Sequence, residues 1–410
     1  VPERIIVGID VGTTKVCVLV GEQDRNGKLN ILGTGLCPSR GLRRGVVINM
    51  SETVESITTA LDRAERLSGR KITAAYVGVA GSHIESLNSR GVVAIPPSTR
   101  EIVPSDISRA IEAARAIEVP SSREVIHVIP RGYLVDGQEG VKNPIGMAGY
   151  RLEVECHIVT GAVTSIQNLI KCVQKSLVEI DDLVLEPLAS SESVLLPSEK
   201  ELGVMLLDIG GGTTDVAIFV EGAIWHTVVL PLGGNLITND IAYGLRIPFL
   251  AAEELKVTHG HADPSQIPAG QMIDLEPFIP ECKEVADQHA LAEIIEARVE
   301  EIFEKVQEEI KKSEYDGLLP SGIVITGGTA ELPGIAEKAR AMFNLPVRIG
   351  TPQGLHGVTD TINKPAFATG VGLLLWGLRQ SEALAADEAR SQEVPVVYQR
   401  FKQWIQTLLP

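Results

Sequence analysis

The chain has no run of about 18 consecutive apolar residues, the length a bilayer-crossing helix needs, so nothing in it reads as a membrane span. Cysteine is sparse: five among 410 residues, at 17, 37, 156, 172 and 282, with no Cys-x-x-Cys. That excludes a disulfide framework and a zinc site, and the expectation is reduced, buried thiols in a cytosolic protein. Net positive charge is missing as well. At a formal -16 the body is repelled by nucleic acid phosphates and by anionic headgroups, so no nucleic-acid partner is expected. The opening "VPERIIVGID" has an apolar run too short for a signal peptide and passes straight into a strand. The phosphate-loop pattern Gly-x-x-x-x-Gly-Lys-Ser/Thr is absent too.

What is present describes a folded chain, 44% hydrophobic and 22% charged, and too long for one ordinary core. Strands and helices alternate from the start, which predicts an α/β protein. "SETVESITTALDRAERLSG" puts Val54, Ile57, Leu61 and Leu67 on one helical face, stopped by Gly69. "PSDISRAIEAARAI" is a second helix with Ser105 as its expected N-cap. Strand signals and Pro/Gly turns crowd residues 82–160, the mark of a small inserted domain. Leu291, Ile294, Ile295, Val299, Ile302, Phe303, Val306 and Ile310 form the seam of a long helix whose charges are its solvated face. "SEALAADEARSQE", residues 381–393, reads as a flexible acidic linker.

Two stretches carry the chemistry: "GIDVGTTKVCVLV" at 8–20 and "LLDIGGGTTDVAIFV" at 206–220. Each is a strand ending in Asp, a Gly-rich turn with Thr-Thr, and a second alternating strand. A dinucleotide fingerprint would continue into a helix; these continue into strands, so both are hairpins. Two such hairpins half a chain apart predict two similar lobes that share a cleft. Gly12, Gly210, Gly211 and Gly212 let backbone N–H groups approach phosphate oxygens, while Thr13, Thr14, Thr213 and Thr214 add hydroxyls and Lys15 a cation. Asp10 and Asp208, at the strand ends, call for Mg²⁺ held through its waters. A third turn, "TGGT" at 326–329, follows a strand and leads into a helix; Gly327 and Gly328 leave room there for a base or ribose. Taken singly, any of these turns is an ordinary hairpin; together, in this order, they point to ATP.

The set resembles the actin, sugar kinase and DnaK-type ATPase superfamily, with connecting helices at 185–195 and 365–377. The resemblance implies an actin-like (RNase H-like) two-lobe fold, with Glu186 near the metal-bound water and Glu253 and Lys256 flanking the adenosine; read alone, those two are a surface ion pair. "GVAGSHIESLNSRGVVAI" at 78–95, "VIPRGYLVDGQEGVKNPIGMAGYRLEV" at 128–154 and "GGNLITNDIAYGLRIP" at 233–248 are similar to the FtsA family of bacterial cell-division proteins. By that resemblance the first-lobe core takes 1–81, 162–195 and 365–380, and an FtsA-type inserted subdomain takes 82–161. The second-lobe core takes 196–227 and 304–364, its small subdomain 228–303, a linker 381–395 and a terminal helix 396–410. The implied partners are other copies in a filament, later division proteins on 82–161, and the FtsZ C-terminal peptide near Arg298 and Glu301. Those two residues read equally well as a solvated face. Hydrolysis is expected to be slow or not the main function, because no positioned base stands out.

The last residues, "YQRFKQWIQTLLP", set Val397, Phe401, Trp404, Ile405, Leu408 and Leu409 along one helical stripe, with Arg400 and Lys402 opposite. That is an in-plane membrane anchor, too short to span. Each large apolar side chain contributes at most about 1.5 to 3 kcal/mol and each cation about 1 kcal/mol, so one tail binds weakly and an array binds strongly. The competing reading is a terminal helix docked on the protein itself. A sugar kinase on the same core would leave the tail unexplained, a chaperone would need a peptide-binding domain after the core, and a pilus-assembly relative would lack the basic tail. His259 and His261 lack a third ligand and read as a surface loop.

Overall fold

A computed structural model describes residues 4–390 other than 25–26, 98–99, 313–318 and 358–360. The chain begins with three antiparallel strands, β1 (Arg4–Val11), β2 (Lys15–Gln23) and β3 (Leu29–Pro38), rich in Val, Ile and Leu. A two-stranded ribbon follows, β4 (Leu42–Arg43) and β5 (Val46–Val47), then α1 (Met50–Ser68) and β6 (Ala74–Val79), which lies parallel beside β1. The Asn49 side chain caps α1 by accepting from the Ser51 and Glu52 amides, and Gly69 ends it in a left-handed turn. Its buried face is centred on Ile57, Ala60, Leu61 and Ala64, with Val54 half-buried; Leu67, expected on that face, is exposed.

From β6 the chain leaves to build a separate four-stranded antiparallel sheet. Its members are β7 (Ile84–Ala94), β8 (Arg123–Val135), β9 (Gln138–Val141) and β10 (Arg151–Ala162), in the order β7-β10-β8-β9, with α2 (Pro104–Arg115) between β7 and β8 in sequence. Ala110 and Ala114 of α2 pack in one core with Leu152, Val154, Cys156 and Ile158 of β10. Ser105 is not the N-cap of α2. Pro104 occupies the first turn, where its fixed φ and missing N–H cost nothing, and the Asp106 carboxylate closes the end by accepting from the Val103 amide at 3.0 Å.

The chain then returns through α3 (Val163–Lys175) to β11 (Glu179–Leu185), parallel beside β6, and on to α4 (Glu186–Val194). The second lobe repeats the first: α5 (Pro197–Leu202), then β12 (Val204–Ile209), β13 (Thr214–Val220) and β14 (Ala223–Leu230), antiparallel in turn. A small subdomain departs here with α6 (Gly234–Leu245), α7 (Phe249–His259), β15 (Met272–Asp274), β16 (Val285–Asp287) and α8 (Gln288–Lys312). The seam of α8 is buried as the spacing predicts, with Ile294 partly so. Then β17 (Ile323–Thr326), α9 (Ile335–Phe343) and β18 (Val347–Ile349) complete a sheet ordered β14-β13-β12-β17-β18.

The first sheet is ordered β11-β6-β1-β2-β3-β19. Its last member, β19 (His356–Gly357), pairs with β3, so this short piece of the expected second-lobe core joins the first. The final helix, α10 (Ala368–Arg390), packs against α4 and β1. It continues to Arg390, so residues 381–390 are helical where the composition predicts a linker. Acidic, Ala-rich sequence is as compatible with an exposed helix as with coil, and the docked first turns of α10 supply the nucleus that an isolated segment lacks. The expected anchor residues Arg400, Phe401, Lys402, Trp404, Ile405, Leu408 and Leu409 lie outside the described residues. No helix among the described residues is long and apolar enough to cross a membrane.

Candidate nucleotide site

The two hairpin turns come together. A Cβ placed on Gly211 would collide with the Thr14 hydroxyl, and one on Gly212 with that of Thr13. Their backbones match: the Gly12 amide donates to the Lys15 carbonyl at 3.0 Å, and the Gly210 amide to the Thr213 carbonyl at 2.9 Å. Strand pairing sets Asp10 opposite Cys17 and Asp208 opposite Asp215. Counted from those pairs, Thr13 and Thr14 match Gly211 and Gly212, while Thr213 and Thr214 match Lys15 and Val16. The Thr-Thr pairs that look equivalent in sequence are therefore displaced by two positions. Thr214 is fully buried and its hydroxyl donates to the Leu232 carbonyl at 2.9 Å, so it does not supply the free donor expected of it.

Three buried carboxyl groups, Asp10, Asp208 and Asp215, and the half-buried Glu186 surround these turns. Burial pushes Asp10 up to about 6, opposed by Lys15 and aided by Asp208. Asp208 also rises to about 6 through burial, against hydrogen bonds from Ser190 and Thr369 and the charge of Lys15. Asp215 and Glu186 stand well above the carboxylate range, first by burial and then through the negative fields of their acidic neighbours. The Lys15 ammonium hydrogen-bonds the Ala366 carbonyl and lies 4.1 Å from the centre of the Phe367 ring. Thr369, in the first turn of α10, donates to Asp208 at 3.2 Å and so ties that helix to the second turn.

The residues expected to border the adenosine assemble beside Gly210. The amide of Gly234, at the start of α6, donates to the Gly210 carbonyl at 2.9 Å, and the Thr329 hydroxyl donates to the same carbonyl at 3.1 Å. Gly327 has a left-handed φ of 86°, and a Cβ there would strike the Asp208 carboxylate, so only glycine fits. Gly328 faces open space apart from Ala366. Lys256 and Glu253 form the expected pair at 2.7 Å, yet they are more than a surface bridge: Lys256 also reaches the Thr238 hydroxyl at 2.9 Å and the Gly234 carbonyl at 3.3 Å. Thr238 donates to Glu253 as well.

Among the described residues no three His, Cys, Asp or Glu side chains converge to hold a metal directly. The donor set does fit a hydrated cation: Asp10, Asp208 and Asp215 are acceptors in one region, and Asp215 Oδ1 is buried without a hydrogen-bond partner. His261 instead accepts from the Asp263 amide at 3.0 Å, and His259 meets Phe278 edge-on. Two open hollows lie on the small subdomain. One of about 370 Å³ is lined by Asp240, Tyr243, Ile294, Ala297, Arg298 and Glu301. Arg298 grips Asp240 with two hydrogen bonds of 2.6 and 3.0 Å and also contacts Glu301. Sequence reasoning passed over Asp215, Thr238, Thr329 and Thr369. For Asp215 the signal was available, because β-pairing of the two flanking strands sets it opposite Asp208; for the other three, only the packing of distant segments reveals them.

Comparison with known proteins agrees with this geometry. The model of the "Cell division protein FtsA" family matches residues 205–372, and that of the "SHS2 domain inserted in FTSA" matches 81–160. The Cell division protein FtsA of Pseudomonas aeruginosa is 46% identical, over 98% of this chain and 98% of that protein. That of Escherichia coli K12 is 38% identical over 91% and 90%. Among solved structures, a PilM-PilN type IV pilus biogenesis complex matches with a TM-score of 0.67 at 16% identity, covering 91% of this chain and 98% of that one. MreB5 of Spiroplasma citri bound to ADP matches with a TM-score of 0.53 at 16% identity, over 94% and 98%. These structural likenesses establish the actin-like ATPase fold and, at such identity, nothing finer. The sequence relatives, matched over nine-tenths or more of both chains, decide the rest: the chain belongs to the FtsA family of bacterial cell-division proteins.

Proposed function

We propose that this division protein is an ATP-binding, filament-forming adaptor that holds the FtsZ ring at the cytoplasmic membrane. The observation that carries the nucleotide part is the meeting of two matched turns, Gly12–Lys15 and Gly210–Thr213, above buried Asp10, Asp208 and Asp215. Amides of both turns, with Thr13, Thr14 and Lys15, would bind the phosphates, while Gly327, Gly328, Glu253 and Lys256 would border the adenosine. A bound Mg²⁺ would supply charge neutralisation between phosphates and carboxylates, held through water by Asp10 and Asp208. Retention of ATP in equilibrium dialysis with Mg²⁺ tests this, and no retention ends it.

The hollow at Arg298 and Glu301 supports docking of the FtsZ C-terminal peptide, since it pairs an 86% exposed Tyr243 with charged walls. Titrating that peptide against the chain and against Tyr243→Ala checks the surface; equal affinity would move it elsewhere. The anchoring part rests on the basic, apolar-striped residues 396–410. Liposome flotation of the intact chain should exceed that of a chain ending at Gln392, and equal flotation sinks the anchor. A polymer multiplies weak tails, so flotation should rise when filaments form.

A further inference from the structure

The inserted subdomain touches both lobes. Its edge strand β7 lies against β14, the edge strand of the second-lobe sheet. There Ser86 donates to the Thr227 carbonyl at 2.7 Å. His157 of β10, 1% exposed, is bonded at both ring nitrogens: Nδ1 to Asn88 Oδ1 at 2.8 Å and Nε2 to the Thr227 hydroxyl at 2.8 Å. An amide oxygen only accepts, so the proton sits on Nδ1 and Thr227 donates to Nε2. Burial, helped by His226, Arg131 and His127, lowers His157 to about 3, so the ring stays neutral at physiological pH. Two more contacts cross the same boundary: the Arg131 guanidinium lies 3.2 Å over the Trp225 ring, and Lys142 reaches Glu201 of α5 at 2.6 Å.

Thr227 pairs directly with Ala217 of β13, the strand that carries Thr214 and Asp215 at its mouth. Beside the root of the insert, the Gly45 amide donates to the Thr13 hydroxyl at 3.2 Å. Gly45 itself lies so tightly on the entry to the insert that a Cβ would strike Gly81 Cα and the Ala80 carbonyl. The first turn thus reaches the root of the insert through Gly45, and the start of the edge strand, a few residues further on, grips the sheet that presents the second turn.

We propose that the inserted subdomain is a brace between the lobes, locked by the His157–Thr227 contact, so that closing the cleft and seating the insert on β14 are one event. This rests on the nucleotide reading above and adds its regulation: occupancy of the cleft would be felt by a subdomain outside it, and whatever binds that subdomain would change nucleotide affinity by the same factor. His157 and Thr227 act here as positioning residues.

Hydrogen–deuterium exchange on the full chain tests it, with Thr227→Val to remove the hydroxyl in the same shape and Thr227→Ser to restore it. Without nucleotide, Thr227→Val should speed exchange both at 84–89 and at 43–47, on the first-lobe side of the brace, and Thr227→Ser should return both to the original rates. Faster exchange confined to 84–89, or none at either place, overturns the brace. With Mg²⁺ and ATP, exchange at 84–89 should slow in the original chain but not in Thr227→Val, whose ATP affinity should fall about 3- to 10-fold, the effect of losing one buried hydrogen bond. Unchanged affinity and an unchanged response in Thr227→Val overturn the coupling. Failure of the original chain to retain ATP removes the nucleotide reading alone, because the nucleotide-free comparison still decides the brace.

Discussion

The two lobes are one design with opposite charge at the critical turn. Both order their sheets as three antiparallel strands followed by two parallel ones, and both close the first hairpin with the same Gly-amide-to-carbonyl bond. Yet the first turn carries Lys15 and, opposite Asp10, the neutral Cys17; the second carries Thr213 and, opposite Asp208, the acid Asp215. Backbone geometry was kept while the charge changed. Under the proposed nucleotide reading, the first turn would meet phosphate oxygens with its own cation, whereas the second would require a divalent ion between its two acids and the same phosphates. The parallel strands diverge in the same manner. β11 holds the half-buried Asp182, which accepts from the Trp376 indole N–H at 3.2 Å, while β18 presents Arg348, which pairs with Glu199 at 2.6 Å.

The largest effect expected from breaking this contrast is on binding. Asp208→Ala should weaken ATP retention with Mg²⁺ by about 10- to 100-fold in equilibrium dialysis, as loss of an orienting acid at a metal site does. Cys17→Asp would copy the second lobe's acid into the first. Cys17 is fully buried and its thiol is already pushed up to about 12 by burial, so a carboxyl there should lower stability by about 2 to 4 kcal/mol in chemical denaturation. Lys15→Ala should weaken ATP by about 10-fold, and Thr213→Ala at the matching position by only about 2- to 3-fold, since one removes a charge and the other a neutral hydroxyl.

A separate effect, on stability, is set by pH. Burial lifts Asp182 to about 6, above its unfolded 3.8, despite the hydrogen bond from Trp376. Between those values the folded state binds more protons, so its contribution to stability is greatest below about 4 and is lost as pH rises through 6. Asp182→Asn should therefore stabilise the chain at pH 7.5 by on the order of 1 to 3 kcal/mol, and the gain should vanish near pH 4. Equal midpoints at pH 7.5 would mean that Asp182 is better solvated than its burial implies.

What the sequence could give follows from how local each feature is. The hairpins at 8–20 and 206–220, the helix stopped at Gly69 and the seam of α8 depend on neighbours a few residues apart, so periodicity and glycine placement reveal them. Ser105 failed as a cap because Pro104 and Asp106 compete at adjacent positions, a choice that one local pattern does not settle. The end of α10 failed because a helix docked at one end keeps growing where composition alone predicts coil.

The sequence by itself determined two repeated strand–turn–strand units, their Asp and Gly residues and the inserted subdomain, because those are written in spacing along one chain. Only the tertiary structure decided which side chains share a space: that Thr13 and Thr14 face Gly212 and Gly211, that Asp215 joins Asp208, that Thr369 reaches back across 161 residues, and that His157 locks onto Thr227. Such meetings depend on the packing of two sheets and two crossing helices against each other, and no local pattern encodes the distance between residues that far apart.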